Sequence, residues 1–288
     1  MRGLPGPVAS RAGLDRCNRP GRYRQASCPI RSLAALAAIL ALSAVPAAAT
    51  GLRASYAIDA AGITVLALTA ALDVNEGAYA VGITSSTRGV AAILIRGYQA
   101  SQVDGAWRAA APAPLRYRTD GFWRGIGRHT ELHYERGQPV VRVLDPPEPE
   151  VRFPVPPEQQ RNTTDPLSAF AQLVRQVRDS GRCDGVASIF DGRLRIEFTV
   201  STEGTEHLDG GRNGWSGDAL RCAYESRIVA GFRRDQDPAE AVRPERGTAW
   251  IAAPAPGMLP IPVRIDGPNR WFGSITIRLI HVETLPAR

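Results

Sequence analysis

From residue 50 onward, apolar and polar positions alternate along the chain with a period of two. Leu194, Ile196, Phe198 and Val200 interleave with Arg195, Glu197 and Thr199, which puts the apolar set on one face of a half-buried strand. Ile275, Ile277 and Leu279 alternate with Thr276 and Arg278 in the same way. The same reading predicts strands at 53–60, 63–73, 78–86, 92–103, 115–119, 128–135 and 138–144. Further strands are predicted at 186–190, 219–231, 247–253 and 260–266. The pairs Asp104-Gly105, Arg136-Gly137 and Asp191-Gly192 supply turn chemistry between them. About a dozen strands at this spacing predict a mainly β fold, an antiparallel sheet that is strongly curved or forms an open barrel.

One segment has a helical period. Asp165 suits an N-cap and Pro166 the first helical position, after which Leu167, Phe170, Val174 and Val177 share a face. Arg175 and Arg178 lie near the negative end of the dipole, and Gly181 suits a left-handed C-terminal cap. The helix, about 165–179, is expected to cover or plug the apolar face of the sheet. Before it, residues 145–161 hold prolines 146, 147, 149, 154, 156 and 157 among charges, an extended connector.

The first 49 residues read as a processing signal. Seven arginines stand against Asp15 alone, an apolar stretch follows from Ser32, and Ala47-Ala48-Ala49 is a small-residue cleavage site. The expectation is a signal peptide, residues 1–49, removed after Ala49. The mature part, residues 50–288, is then a single β-rich domain in the periplasm. No twin-Arg pair is present, so the general secretion route is expected. The apolar stretch is marginal for crossing a core of roughly 30 Å, so no membrane span is expected after processing.

Charge changes meaning once this leader is set apart. The chain carries a formal charge of +7, and all of its basic residues are Arg. Without residues 1–49, 28 Arg face 27 Asp and Glu. That near-neutrality removes the composition-level argument for nucleic acid or an anionic membrane as partner. Cys183 and Cys222 are the cysteines that remain after residue 49. An even pair in an oxidising compartment is read as a disulfide, since neither Cys-x-x-Cys nor further metal ligands accompany it.

Several segments occur in a familiar order. They are Asp165-Pro166-Leu167-Ser168, Gly181-Arg182-Cys183-Asp184-Gly185, Ile189-Phe190-Asp191-Gly192-Arg193, Cys222 and Ala230-Gly231-Phe232. Leu259-Pro260-Ile261-Pro262-Val263-Arg264 then precedes a closing strand with Gly273. The chain thereby resembles, over roughly residues 50–282, an exported proteobacterial family known as domain of unknown function 3108. The resemblance implies a periplasmic, mostly antiparallel β protein. It brings no assigned activity or catalytic residues, so no site is carried over from it.

Candidate chemistry is sparse. His129, Glu131 and His133 share one face of a predicted strand and are the weak candidates for a metal site. Successive members stand nearly 7 Å apart along the strand, so the outer two, about 14 Å apart, do not converge by themselves. Asp184 and Asp191 both precede Gly and read as turn residues before they read as an acid/base pair. The Gly-rich run 209–217 lacks both the phosphate-loop ending and the nucleophile elbow. It is read as a surface loop exposing Trp215. Trp107, Tyr117, Trp123 and Trp215 are the candidate ligand contacts, the first three interleaved with arginines.

These features favour a non-enzymatic binding or envelope-assembly protein. Its concave apolar face would meet a lipid-like ligand or another envelope protein. No cofactor is implied. The alternative is a metal-dependent hydrolase built on residues 129–133.

Overall fold

In a computed structural model, the residues described are 51–286 except 148, 150, 212, 213 and 270–272. The expected signal segment and its cleavage site lie outside them. Thirteen strands are described: Gly51–Ala60 (β1), Ile63–Val74 (β2), Ala78–Thr87 (β3), Gly97–Arg108 (β4), Ala111–Trp123 (β5), Ile126–Glu135 (β6) and Gln138–Asp145 (β7). They continue as Gly185–Phe190 (β8), Arg195–Leu208 (β9), Gly217–Ala230 (β10), Glu245–Ala252 (β11), Ile261–Asn269 (β12) and Gly273–Leu285 (β13). The helices are Gly89–Leu94 (α1), Pro157–Gln160 (α2), Pro166–Ser180 (α3) and Pro238–Ala241 (α4).

All strands belong to one antiparallel sheet in the order β7-β6-β5-β4-β3-β2-β1-β13-β12-β11-β10-β9-β8. Consecutive strands therefore pair with one another, except β7 and β8, and the first strand, β1, also joins the last, β13, across Gly51↔Leu285 to Ala60↔Ile275. The mainly β, open architecture expected from the alternation is what forms. Two-residue hairpins close it at Ala61-Gly62, Arg124-Gly125 and Arg136-Gly137, all with positive φ, the geometry whose twist matches flanking strands.

β7 and β8 are the free ends of the sheet and share no ladder. The polypeptide between them spans the gap instead. Arg193 donates to the carbonyl oxygens of Asp145 and Pro146 at 3.0 and 2.8 Å. Thr164 forms a parallel bridge to Ile189, and Phe153 N donates to Phe232 O. The 145–161 connector is irregular as expected, apart from β7 reaching Asp145 and the short α2.

α3 follows its sequence signals. Asp165 caps it, accepting from Leu167 N and Ser168 N, and Gly181 takes the left-handed conformation with its N–H on Val177 O. Leu167, Ala171, Val174 and Val177 are buried. The first three join Leu52, Leu72, Val81, Leu132, Phe190 and Ile261 in the main core. The helix is thus inside the curve of the sheet. Cys183, just beyond it, is joined by a disulfide to Cys222 on β10, with Cα atoms 6.4 Å apart.

Two expectations need correction. Residues 92–94 belong to α1, and β4 begins at Gly97; Val90–Ile95 is continuously apolar, so it carries no period-two signal to enforce a strand. Asp104-Gly105 is a register shift within the β4–β5 ladder, not a turn. A Cβ on Gly105 would stand 2.3 Å from the Tyr79 ring, so the glycine makes room for an aromatic on β3.

Candidate functional site

The interior of the sheet divides into two parts. Toward the β2–β3 turn it is filled by α3. Asp165, fully buried, has Oδ1 accepting from Leu167 N and Ser168 N at 3.0 and 2.9 Å, while Oδ2 accepts from Ser168 Oγ at 2.6 Å. Ser168 Oγ accepts in turn from the Tyr79 hydroxyl at 2.8 Å. Burial pushes the Asp165 carboxyl above the ordinary carboxylate range, and the Tyr79 and Tyr134 hydroxyls upward as well. At the far end of the helix Arg178 reaches Val74 O and Glu76. Arg175 lies 4.5 Å over the Trp107 ring.

Toward the opposite end, where the β1–β2, β3–β4, β5–β6 and β8–β9 connections gather, the interior holds a cavity of about 320 Å³. Its walls come from alternate residues of successive strands: Leu66, Ser85, Gly97 and Gln99, Tyr117, Thr119 and Trp123, and Arg128 and Thr130. Asp191 and Arg193 close it from the β8–β9 turn. A chain of hydrogen bonds crosses the wall: Gln99 Nε2 donates to Ser101 Oγ (3.2 Å), Ser101 Oγ pairs with Thr119 Oγ1 (2.9 Å), and Thr119 Oγ1 donates to the Tyr117 hydroxyl (2.8 Å). Burial raises the Tyr117 hydroxyl. Gly97 opposes Trp123 in the β4–β5 register, and a Cβ there would overlap the indole at 2.3 Å. The glycine lets the indole lie flat on the neighbouring strand. Asp191 Oδ1 accepts from Arg193 N and Leu194 N at 2.8 and 2.7 Å, and desolvation raises its carboxyl. A smaller recess of about 190 Å³ lies between α3 and the β8–β9 edge, lined by Phe170, Leu173, Val186 and Phe198 among others. It is mostly apolar, whereas the end cavity combines flat aromatic surface with converging polar groups, the composition of small-molecule sites.

The four candidate contacts do not converge. Tyr117 and Trp123 line the end cavity. Trp107 is a packing residue: its Nε1 donates to Asn75 O and Ala78 O, and its ring tilts against Tyr79 at 4.6 Å. Trp215 is half-buried rather than exposed, packed against the core with Nε1 toward Pro254 O at 3.5 Å. Its apolar bulk finds a place against the core.

His129, Glu131 and His133 do share one face of β6, and it points away from the core. Glu131 is held between His133 and Arg116, and His129 Nδ1 meets Asp120 Oδ1 at 2.5 Å. These contacts, that of His133 first, hold the Glu131 carboxyl below its ordinary range. His129 and Glu131 approach only to 4.0 Å. Among the described residues no group of three or more His, Cys, Asp or Glu is arranged to hold a metal. Asp184 accepts from Thr202 N at 2.9 Å and pairs with Arg182, and with Asp191 it serves loop geometry. The two stand at opposite ends of β8.

Sequence reading missed Gln99, Thr119, Arg128 and Arg193. Gln99 and Thr119 had a signal: they occupy the inward phase set by Val103 and Tyr117, where a wholly packed interior would carry apolar side chains.

A family model described as Protein of unknown function (DUF3108) matches residues 53–280. No curated protein matches the chain. Among solved structures, a crystal structure of a beta-barrel-like protein of domain of unknown function DUF1849 from Brucella abortus is similar, with a TM-score of 0.47 and 12% identity. That match covers 83% of this chain and 99% of the other. Among the described residues no helix is long and apolar enough to cross a membrane.

Proposed function

The chain belongs to the DUF3108 family, and from that premise we propose a non-enzymatic periplasmic protein that binds a lipid-like amphiphile in its end cavity. One observation carries the reading: beyond α3, the interior is left open and lined by Trp123, Tyr117 and a hydrogen-bonded polar wall. At about 320 Å³ the space is near the lower end of small-molecule sites, which run from about 300 to 1,000 Å³. It suits one headgroup or one short chain, not a whole diacyl lipid. The aromatic face meets apolar atoms, while Gln99, Thr119 and the Tyr117 hydroxyl present polar atoms to a head group. The binding site is therefore this cavity, because α3 fills the rest of the concave face. The disulfide is compatible with an oxidising compartment.

Native mass spectrometry of the full chain expressed with its own leader tests the reading. The expected result is a bound small mass that leaves on denaturation. A titration with palmitate and with a lysophospholipid, followed by indole fluorescence, should saturate, and Trp123→Ala should weaken it at least tenfold. Ligand-free protein with no saturable response to either probe overturns the proposal.

A further inference from the structure

α1 is oriented against the usual logic of a surface helix. Val90, Ile93 and Leu94, spaced i, i+3 and i+4, fall on one face. They are 62%, 83% and 78% exposed. The side turned to the protein is small: Ala91 packs on the Ile58, Ala60 and Val65 cluster. Burying the large residues inward would be worth more, so their exposure needs a cause.

The patch continues beyond α1. Arg88 N donates to Val65 O at 2.9 Å, and Arg124 N donates to Arg96 O at 3.1 Å. These bonds tie α1 to β2 on one side and to the β5–β6 turn on the other. Exposed Ile63, Trp123 and Ile126 thereby join the same end of the molecule, which is also where the cavity lies. Exposed Arg88 and Arg96 bracket α1, and they are the charged residues within 86–98. Nearby carboxylates are engaged: Asp59 with Arg278, and Asp120 with Arg118 and His129. Near-neutrality of the chain after residue 49 averages over this local asymmetry.

We infer that the α1 end is a docking surface for an anionic lipid bilayer. The aliphatic side chains of α1 enter the interface, and Arg88 and Arg96 at its two ends reach the phosphates, the pattern of helices that lie in a membrane surface. A second copy of the chain fits less well, since two such faces would oppose one another's arginines. The inference stands on the rim alone and does not require the cavity to be filled.

Co-sedimentation of the full chain with phosphatidylglycerol-containing vesicles, and with phosphatidylcholine vesicles alone, tests it. Binding is expected with the anionic vesicles and should weaken at least tenfold between low and high salt. The double variant Ile93→Glu/Leu94→Glu should lose at least tenfold in partitioning. Because both side chains point to solvent, its melting curve should match the wild type. A second variant, Arg88→Glu/Arg96→Glu, should lose anionic binding by a similar factor. Three results each overturn the docking: no vesicle binding, equal binding by the first variant, or self-association that this variant abolishes while vesicle binding stays absent.

Discussion

The two ends of the sheet's interior solve the same packing problem differently. Toward the β2–β3 turn the curve is occupied by α3, whose Leu167, Ala171 and Val174 interlock with strand side chains. Even its buried carboxylate is matched with donors from two backbone amides and Ser168. Toward the α1 end no element among the described residues enters the curve, and the walls carry Gln99, Thr119 and Arg128 around a space of about 320 Å³. The filled end gains stability, because the buried Asp165 carboxyl, Ser168 and the Tyr79 hydroxyl are hydrogen-bonded to one another and to the backbone. The open end keeps polar groups where apolar ones would pack better, which is the compromise expected of a binding site.

The sharpest way to break the comparison is to release the anchor of the filled end. Replacing Cys183 and Cys222 together with Ala should cost about 4 kcal/mol in the chain-entropy model for a loop of about 40 residues. Urea unfolding of the oxidised and variant proteins measures it. A loss near zero would mean that α3 needs no covalent tether. Next, equivalent truncations at the two ends should differ. Leu167→Ala in α3 should cost roughly 2–4 kcal/mol by opening a cavity in a packed region. Trp123→Ala at the open end should cost about 1 kcal/mol or less, since its indole is 41% exposed and borders space already empty. Similar midpoint shifts for the two would erase the distinction.

The smallest expected effect is a slope in pH. Burial raises the Asp165 carboxyl in the folded state. The folded protein therefore holds that proton more tightly than the unfolded chain does. The resulting stabilisation is fully present below the unfolded value, near 4, and is lost as pH rises through the folded value. Relative to Asp165→Asn, the wild type should lose stability as pH increases above about 4. Thermal melts across that range check it, and a wild type that gains on the variant instead would show the carboxylate to be net stabilised by its three donors.

Most of the architecture was legible. Period-two alternation located nearly every strand, and α3 could be bounded by Asp165, Pro166 and Gly181 because capping is local chemistry. The exceptions share a cause. α1 is a short run of uniformly apolar residues, Val90–Ile95, and such runs lack the alternation that distinguishes strand from helix. Gly105 looked like a turn, yet it serves a contact with Tyr79 one strand away. The candidate site was legible only in part. Tyr117 and Trp123 were nominated as aromatics beside arginines, as were Trp107 and Trp215, and nothing local could separate the pair that lines the cavity from the pair that packs elsewhere.

By itself, the sequence determined the strands, the central helix and its caps, and the pairing of Cys183 with Cys222. Each follows from chemistry acting between near neighbours, or from there being only two cysteines after residue 49. The tertiary structure alone decided that β1 closes on β13, that α3 fills one end and leaves the other open, and that α1 shows its large apolar face to solvent. Those outcomes depend on which side chains meet across strands distant in sequence. That is settled by the curvature of the whole sheet and the volume it encloses, and no local pattern encodes either.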